Sequence, residues 1–239
     1  MKNIYIVLLS TLITSCGGEK EYTDDMITCP EGDSICYLKK DMSPLSGVWV
    51  TYHENGQLAD KTSCKDGVFH GSSKSWYENG QLKSEGYYKD DKKHGTIKSW
   101  YENGQLESEE YFKDDGLSGT LKYWYENGQL ESEGYYKDDK EQGTIKYWYE
   151  NGQLAEEQQY IDGVEHGTWK LWEVDGLLLE EYNYKNGLFH GSQKIWYENG
   201  QLAEEQYYKD DFEHGTFKYY TEDGELDYQE KYSNGELIK

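Results

Sequence analysis

The chain has 239 residues, with 24 cationic side chains, all lysine, against 47 acidic ones and a formal net charge of −23. An acidic chain without arginine is a poor match for nucleic acid or anionic lipid head groups, and an apolar share of 35% is thin for a large two-layer core. Leu, Ile, Val and Phe supply only 41 residues, a disorder-like share, yet aromatics reach 16%, which disordered chains do not, so residue order has to decide.

Lys2 precedes an apolar run over residues 4–13. A run this short cannot span a bilayer as a helix, which takes about twenty residues, but it suits the core of a secretory signal. It closes on Leu12-Ile13-Thr14-Ser15-Cys16, and an aliphatic residue, two small residues and then cysteine is similar to the lipobox of bacterial lipoproteins. That resemblance implies export, lipidation of Cys16, and anchoring in the bacterial envelope, at the outer membrane, the cell surface or within the periplasm. Ordinary signal cleavage beside an incidental cysteine is the alternative. Residues 1–15 are then a signal peptide. Residues 16–28, polar and without periodicity, are the lipidated cysteine and a flexible tether.

Cys29, Cys36 and Cys64 remain, an odd number for an oxidising compartment. Turn residues fill the short loop from Cys29 to Cys36, which favours a disulfide between them and leaves Cys64 alone. Two free thiols, or a bond from either cysteine to Cys64, stay open. Residues 29–44 form a cysteine-containing N-terminal cap.

From 45 to 239 a unit of 24 residues is copied eight times without gaps. Gly recurs at 56, 80, 104, 128, 152, 176, 200 and 224; a second Gly series starts at 47 and a Leu series at 58. Trp76, Trp100, Trp124, Trp148, Trp172 and Trp196 share one position, with Tyr52 and Tyr220 closing the series. Another aromatic recurs at Tyr88, Phe112, Tyr136, Tyr160, Tyr184, Tyr208 and Tyr232, with Cys64 in that slot of the first copy.

Each unit reads as a β-hairpin, and no stretch has helical periodicity. The expected fold is all-β, an elongated single sheet of eight stacked hairpins. Asn103-Gly104 predicts a two-residue type I′ turn, and the Asp-Asp or Asp-Gly step a second, longer connection. With Asn103-Gly104 at the tip, Lys98 faces Glu109. The same geometry pairs Lys74 with Glu85, Lys122 with Glu133, Lys146 with Glu157, Lys170 with Glu181 and Lys194 with Glu205, while Lys218 faces Gln229. A register shifted by one residue would break all six pairs. In this register Tyr101, Leu106 and Phe112 share one face, and Trp100, Lys98 and Glu109 the other.

The unit Gly-x-x-x-Lys-x-Trp-Tyr-Glu-Asn-Gly-Gln-Leu-x-x-Glu-x-x-Tyr-x-Asp-Gly resembles the MORN repeat in its bacterial variant form, over about residues 45 to 239. The resemblance implies stacked hairpins in one long, curved antiparallel sheet with a groove, and a scaffold or binding role rather than catalysis. Many bacterial members carry an antitoxin label. The phosphoinositide association of eukaryotic members depends on cationic surface, which this chain lacks. Choline-binding repeats are a poorer match, with a period nearer twenty and no Gln-Leu-x-x-Glu segment.

Repeats of two strands step along a sheet by roughly 10 Å. His70, His94, His166, His190 and His214 share one position, but metal–nitrogen bonds near 2 Å forbid neighbours at that step from sharing an ion. They read as turn residues, and no metal is expected. Asp90-Asp91, Asp114-Asp115, Asp138-Asp139 and Asp210-Asp211 read as solvated turn carboxylates, with weak calcium binding inside one turn the alternative. No catalytic triad, phosphate loop or Cys-x-x-Cys pair is present, so neither an enzyme nor a cofactor is expected. The Leu and Tyr/Phe series read as core; the six-membered Trp series, which shares its face with Lys and Glu, is the candidate binding surface, with a core role the alternative. The functional expectation is an envelope lipoprotein that binds a basic protein partner along its sheet, in antitoxin or immunity fashion, and touches the membrane only through its lipid. A carbohydrate-binding module for envelope polysaccharide and a structural spacer are the alternatives.

Overall fold

At Asp114-Asp115 both residues take positive φ, 52° and 72°, and the flanking Lys113 and Gly116 pair directly. This is a two-residue type I′ turn, whose twist matches that of the strands it joins. Asp90-Asp91, Asp138-Asp139 and Asp210-Asp211 repeat it, as do Asp-Gly or Asn-Gly steps at 66–67, 162–163, 186–187 and 234–235. Asp and Asn serve here because they enter the left-handed region at lower cost than other side chains. The sequence expectation is thus reversed, since the Asp-Asp step is the tighter turn. At Asn103-Gly104 only the glycine has positive φ, 86°. Gly104 N–H bonds the Tyr101 carbonyl and Tyr101 N–H that of Gln105, both at 2.9 Å. The result is a three-residue loop, a type I turn closed by a left-handed glycine. Asn103 is used instead for its two-ended amide. Its Oδ1 accepts Gln105 N–H at 2.8 Å, and its Nδ2 donates to the Glu126 carbonyl of the next repeat at 3.0 Å.

The structure is a computed structural model describing residues 19–31 and 34–238; the expected signal peptide and the expected lipidation site Cys16 lie outside the described residues. Its register follows the charges, although not through the expected turn. Trp100 opposite Leu106 is one residue out of phase with Lys98 opposite Glu109, and a bulge at Glu107 absorbs the difference. The bulge carries Leu106 to the side of Trp100 and Lys98, away from Phe112, which corrects the expected grouping. Tyr101 leaves the strand, and its hydroxyl donates to the Trp124 carbonyl at 2.7 Å.

Past the bulge, lysine and glutamate alternate from the second repeat to the eighth, bounded by Lys61 opposite Lys74 at one end and Gln229 opposite Lys218 at the other. The row runs Lys74, Glu85, Lys98, Glu109, Lys122, Glu133, Lys146, Glu157, Lys170, Glu181, Lys194, Glu205, Lys218. Five of the hairpin pairs close at 2.7–3.5 Å. Glu205 instead reaches Lys218 in the next repeat, at 2.8 Å. Each such exposed pair contributes about 0.2–1 kcal/mol.

The hairpins join edge to edge into one antiparallel sheet. Strands entering the Asn-Gly loops, from Gly47–Tyr52 through Gly95–Trp100 to Gly215–Tyr220, alternate with strands leaving them, from Leu58–Lys65 through Leu106–Lys113 to Leu226–Ser233. Glu236–Ile238 pairs on the far side. At the near end Glu21–Tyr22 lies parallel to Gly47–Tyr52, and Ile27–Thr28 pairs with Tyr37–Leu38. Ile27, Leu38, Leu45 and Cys64 are buried together, with Trp49 and Phe69 packed against them. Residues 21–28, expected in the tether, therefore belong to the cap, because Ile27 is anchored and Glu21–Tyr22 is hydrogen-bonded to the sheet. Cys29 and Cys36 are joined by a disulfide. Cys36 N–H bonds the Gly67 carbonyl at 2.9 Å, and Leu45 N–H bonds that of Cys36 at 2.8 Å. The disulfide loop is thus seated on the first type I′ turn, over the free, buried Cys64.

Candidate functional site

Successive side chains on a strand point to opposite faces, and directly paired residues point to the same one. The ribbon accordingly has two unlike faces. The first carries the Lys–Glu row, Trp–Leu pairs such as Trp100 opposite Leu106, and Thr–Tyr pairs such as Thr96 opposite Tyr111. Its tyrosines at 87, 111, 135 and 207 are 41–53% exposed. The structure brings all six members of the Trp series here, each half-buried. Four of their carbonyls accept from the preceding repeat: Tyr77, Tyr101, Tyr125 and Tyr149 donate to Trp100, Trp124, Trp148 and Trp172, each at 2.7 Å. The series therefore marks where one hairpin is stapled to the next.

The second face is built of rings. Tyr160, Trp169, Tyr184, Phe189, Tyr208, Phe217 and Tyr232 form an unbroken chain of ring contacts with centroids 4.8–5.6 Å apart, the range for favourable aromatic pairs. Beside it runs the row Tyr147, Glu156, Leu171, Glu180, Ile195, Glu204, Tyr219, in which a carboxylate returns on every second strand. Between residues 141 and 238 every lysine stands on the other face or in a turn. Among the described residues no lysine is ion-paired to Glu156, Glu180, Glu204 or Glu230; neutral donors hold them. Tyr160 Oη donates to Gln158 at 2.8 Å, and Gln158 Nε2 donates to Glu156 at 2.5 Å. Tyr208, Gln206 and Glu204 repeat the relay at 3.0 and 2.7 Å. Burial first, and then the nearby carboxylates, push the Tyr184 and Tyr208 phenols above their usual range.

The turn carboxylates are structural. Asp91, Asp139 and Asp211 each accept, through Oδ1, the backbone N–H of Phe69, Leu117 and Phe189 in the repeat before, at 2.7–2.8 Å. The first aspartates meet the histidines: His70 Nδ1 lies 3.0 Å from Asp90 Oδ1, and His190 Nδ1 3.0 Å from Asp210 Oδ1. Among the described residues no group of three His, Cys, Asp or Glu side chains is arranged to hold a metal ion.

The family model for the MORN repeat variant matches residues 45–66, 69–90, 93–114, 117–138, 141–162, 189–210 and 213–237, and the chain belongs to that family, whose repeat is generally a non-catalytic module. No curated protein matches the chain. The stretch the family model passes over holds the sixth repeat, where Tyr-Glu-Asn-Gly-Gln gives way to Glu173-Val174-Asp175-Gly176-Leu177. Its hairpin persists, because Gly176 keeps φ at 92° and Asp175 Oδ1 accepts Leu177 N–H at 3.0 Å.

Reading along the Trp series in sequence misses the carboxylate row and the ring-face members Trp169, Phe189 and Phe217. The signal lies in one column of the repeat. Ser84, Ser108 and Ser132 are followed there by Glu156, Glu180 and Glu204.

Proposed function

We propose that the protein is a non-enzymatic, envelope-anchored lipoprotein whose repeat ribbon binds a protein partner in antitoxin or immunity fashion. One observation carries the reading. Beyond the cap the ribbon is a single layer of sheet, and both of its faces keep half-buried aromatic side chains with no second layer over them among the described residues. In a soluble domain such surface is what a partner covers. The net charge of −23 favours a basic partner and makes its association rate depend on ionic strength. The signal-like N-terminus and Cys16 support the anchor.

The test is affinity capture with the mature protein from an envelope extract, read at low and high salt. Recovery of a basic protein that is released as salt rises supports the reading. Retention only on polysaccharide, insensitive to salt, overturns it in favour of carbohydrate binding, for which the exposed tyrosines at 87, 111 and 135 would be the stacking surface. Loss of palmitate labelling on Cys16→Ser tests the anchor separately.

A further inference from the structure

The two faces differ in how their charges are satisfied, and that difference selects one of them. On the Lys–Glu face each glutamate of the row already has a lysine opposite, so a cationic ligand there must displace an existing partner. On the ring face Glu156, Glu180 and Glu204 are paired with no cation among the described residues: Tyr147 faces Glu156 and Tyr219 faces Glu204 across the ladder, while Glu180, between Leu171 and Ile195, is hydrogen-bonded to the Tyr182 phenol. Carboxylates interleaved with π-faces bind cations twice over, by ion pairing and by the ring quadrupole. The ribbon already shows the second element, where Lys93 Nζ lies 4.6 Å from the Phe112 ring centroid and Lys83 Nζ 5.5 Å from that of Tyr77.

The spacing narrows the ligand. Glu156, Glu180 and Glu204 recur every second strand, about 9.6 Å apart at ordinary strand spacing. A polyproline II chain advances about 9.3 Å per three-residue turn. We infer that the ring face of repeats five to eight is the docking surface for an extended, basic polypeptide segment, laid across the strands with a lysine or arginine at every third position. This rests on the partner-binding reading and adds to it the face, the partner's conformation and its charge spacing. A second copy of this chain is excluded as occupant by charge, because like-charged surfaces repel.

The test uses a fluorescent (Lys-Pro-Pro)5 peptide titrated by anisotropy against the protein and against Glu156→Gln/Glu180→Gln/Glu204→Gln. Glutamine keeps the size and the acceptor atom, and far-UV spectra check the fold of the variant. Binding weakened by about tenfold, roughly twofold for each exposed ion pair lost, supports the proposal. So does weaker binding of a peptide with the same lysines clustered at one end. An unchanged affinity for the variant overturns it. An equal loss on neutralising Glu102, Glu126 and Glu150 at the loops also overturns it, by reducing the effect to net charge. Should the envelope partner be captured undiminished by the triple variant, the partner-binding reading stands and the face assignment falls. Should the peptide bind as stated while no envelope partner is captured, the face stands without a partner.

Discussion

Tyr149 Oη donates to the Trp172 carbonyl at 2.7 Å, tying the fifth repeat to the sixth, and one repeat on Glu173 replaces the tyrosine and makes no such bond to Trp196. The same junction loses the asparagine amide, since Asp175 stands where Asn151 donates to the Val174 carbonyl. What holds it instead lies mid-strand. Gln193, 3% exposed, accepts Asn183 N–H at 2.9 Å and donates to the Asn183 carbonyl at 3.0 Å.

In a linear array each interface contributes separately, so the sixth and seventh repeats should part before any others. Restoring both lateral donors with Glu173→Tyr/Asp175→Asn should raise stability by about 1–2 kcal/mol, at roughly 1 kcal/mol per hydrogen bond. Gln193→Leu should cost about 2–3 kcal/mol, because it strands buried backbone groups. Urea unfolding measures both, and amide exchange should place the change at the junction. Equal protection at every junction would contradict the account.

The second aspartate of each Asp-Asp turn holds a left-handed conformation and pins a neighbouring N–H. Asp139→Ala loses both at once and should cost about 2 kcal/mol, whereas Asp139→Asn, which tolerates positive φ and keeps an acceptor, should cost less than 1. Thermal unfolding of the pair distinguishes them. Similar losses would mean that the carboxylate's charge, not its geometry, matters.

Burial pushes the Cys64 thiol up to about 11 from an ordinary value of 9.0. A group with a raised acid pKa stabilises the fold fully below its unfolded value and loses that contribution as pH climbs towards the folded one. Stability should therefore fall between about pH 9 and 11, and Cys64→Ala should flatten that part of the curve. The thiol should also resist modification at pH 8 until the cap opens. Cys29→Ser/Cys36→Ser, which removes a short-loop crosslink of about 2–3 kcal/mol, should make Cys64 reactive in a thiol-titration assay.

The fold was legible because the 24-residue clock and the Lys–Glu pairs each specify it independently. The turns were not, because Asn-Gly satisfies two loop geometries and only hydrogen bonds to neighbouring repeats show why Asn103 is asparagine. Leu106 was misplaced by the bulge at Glu107, which no residue type there announces. The cap began earlier than polarity suggested, since one buried Ile27 and two strand residues suffice to fix it. The carboxylate row was hidden by the strength of the repeat itself, whose recurring Trp outweighs the column that changes from Ser to Glu.

Tryptophan offers the most direct test of the ring face. Of the eight tryptophans, Trp169 alone stands on it outside the cap, Trp49 lies under the cap, and the other six line the Lys–Glu face. Fluorine NMR of 5-fluorotryptophan-labelled protein should show the Trp169 resonance, identified with Trp169→Phe, moving on addition of (Lys-Pro-Pro)5 while Trp100, Trp124 and Trp148 stay in place. Shifts confined to the six Lys–Glu-face resonances, with Trp169 unmoved, would contradict the account.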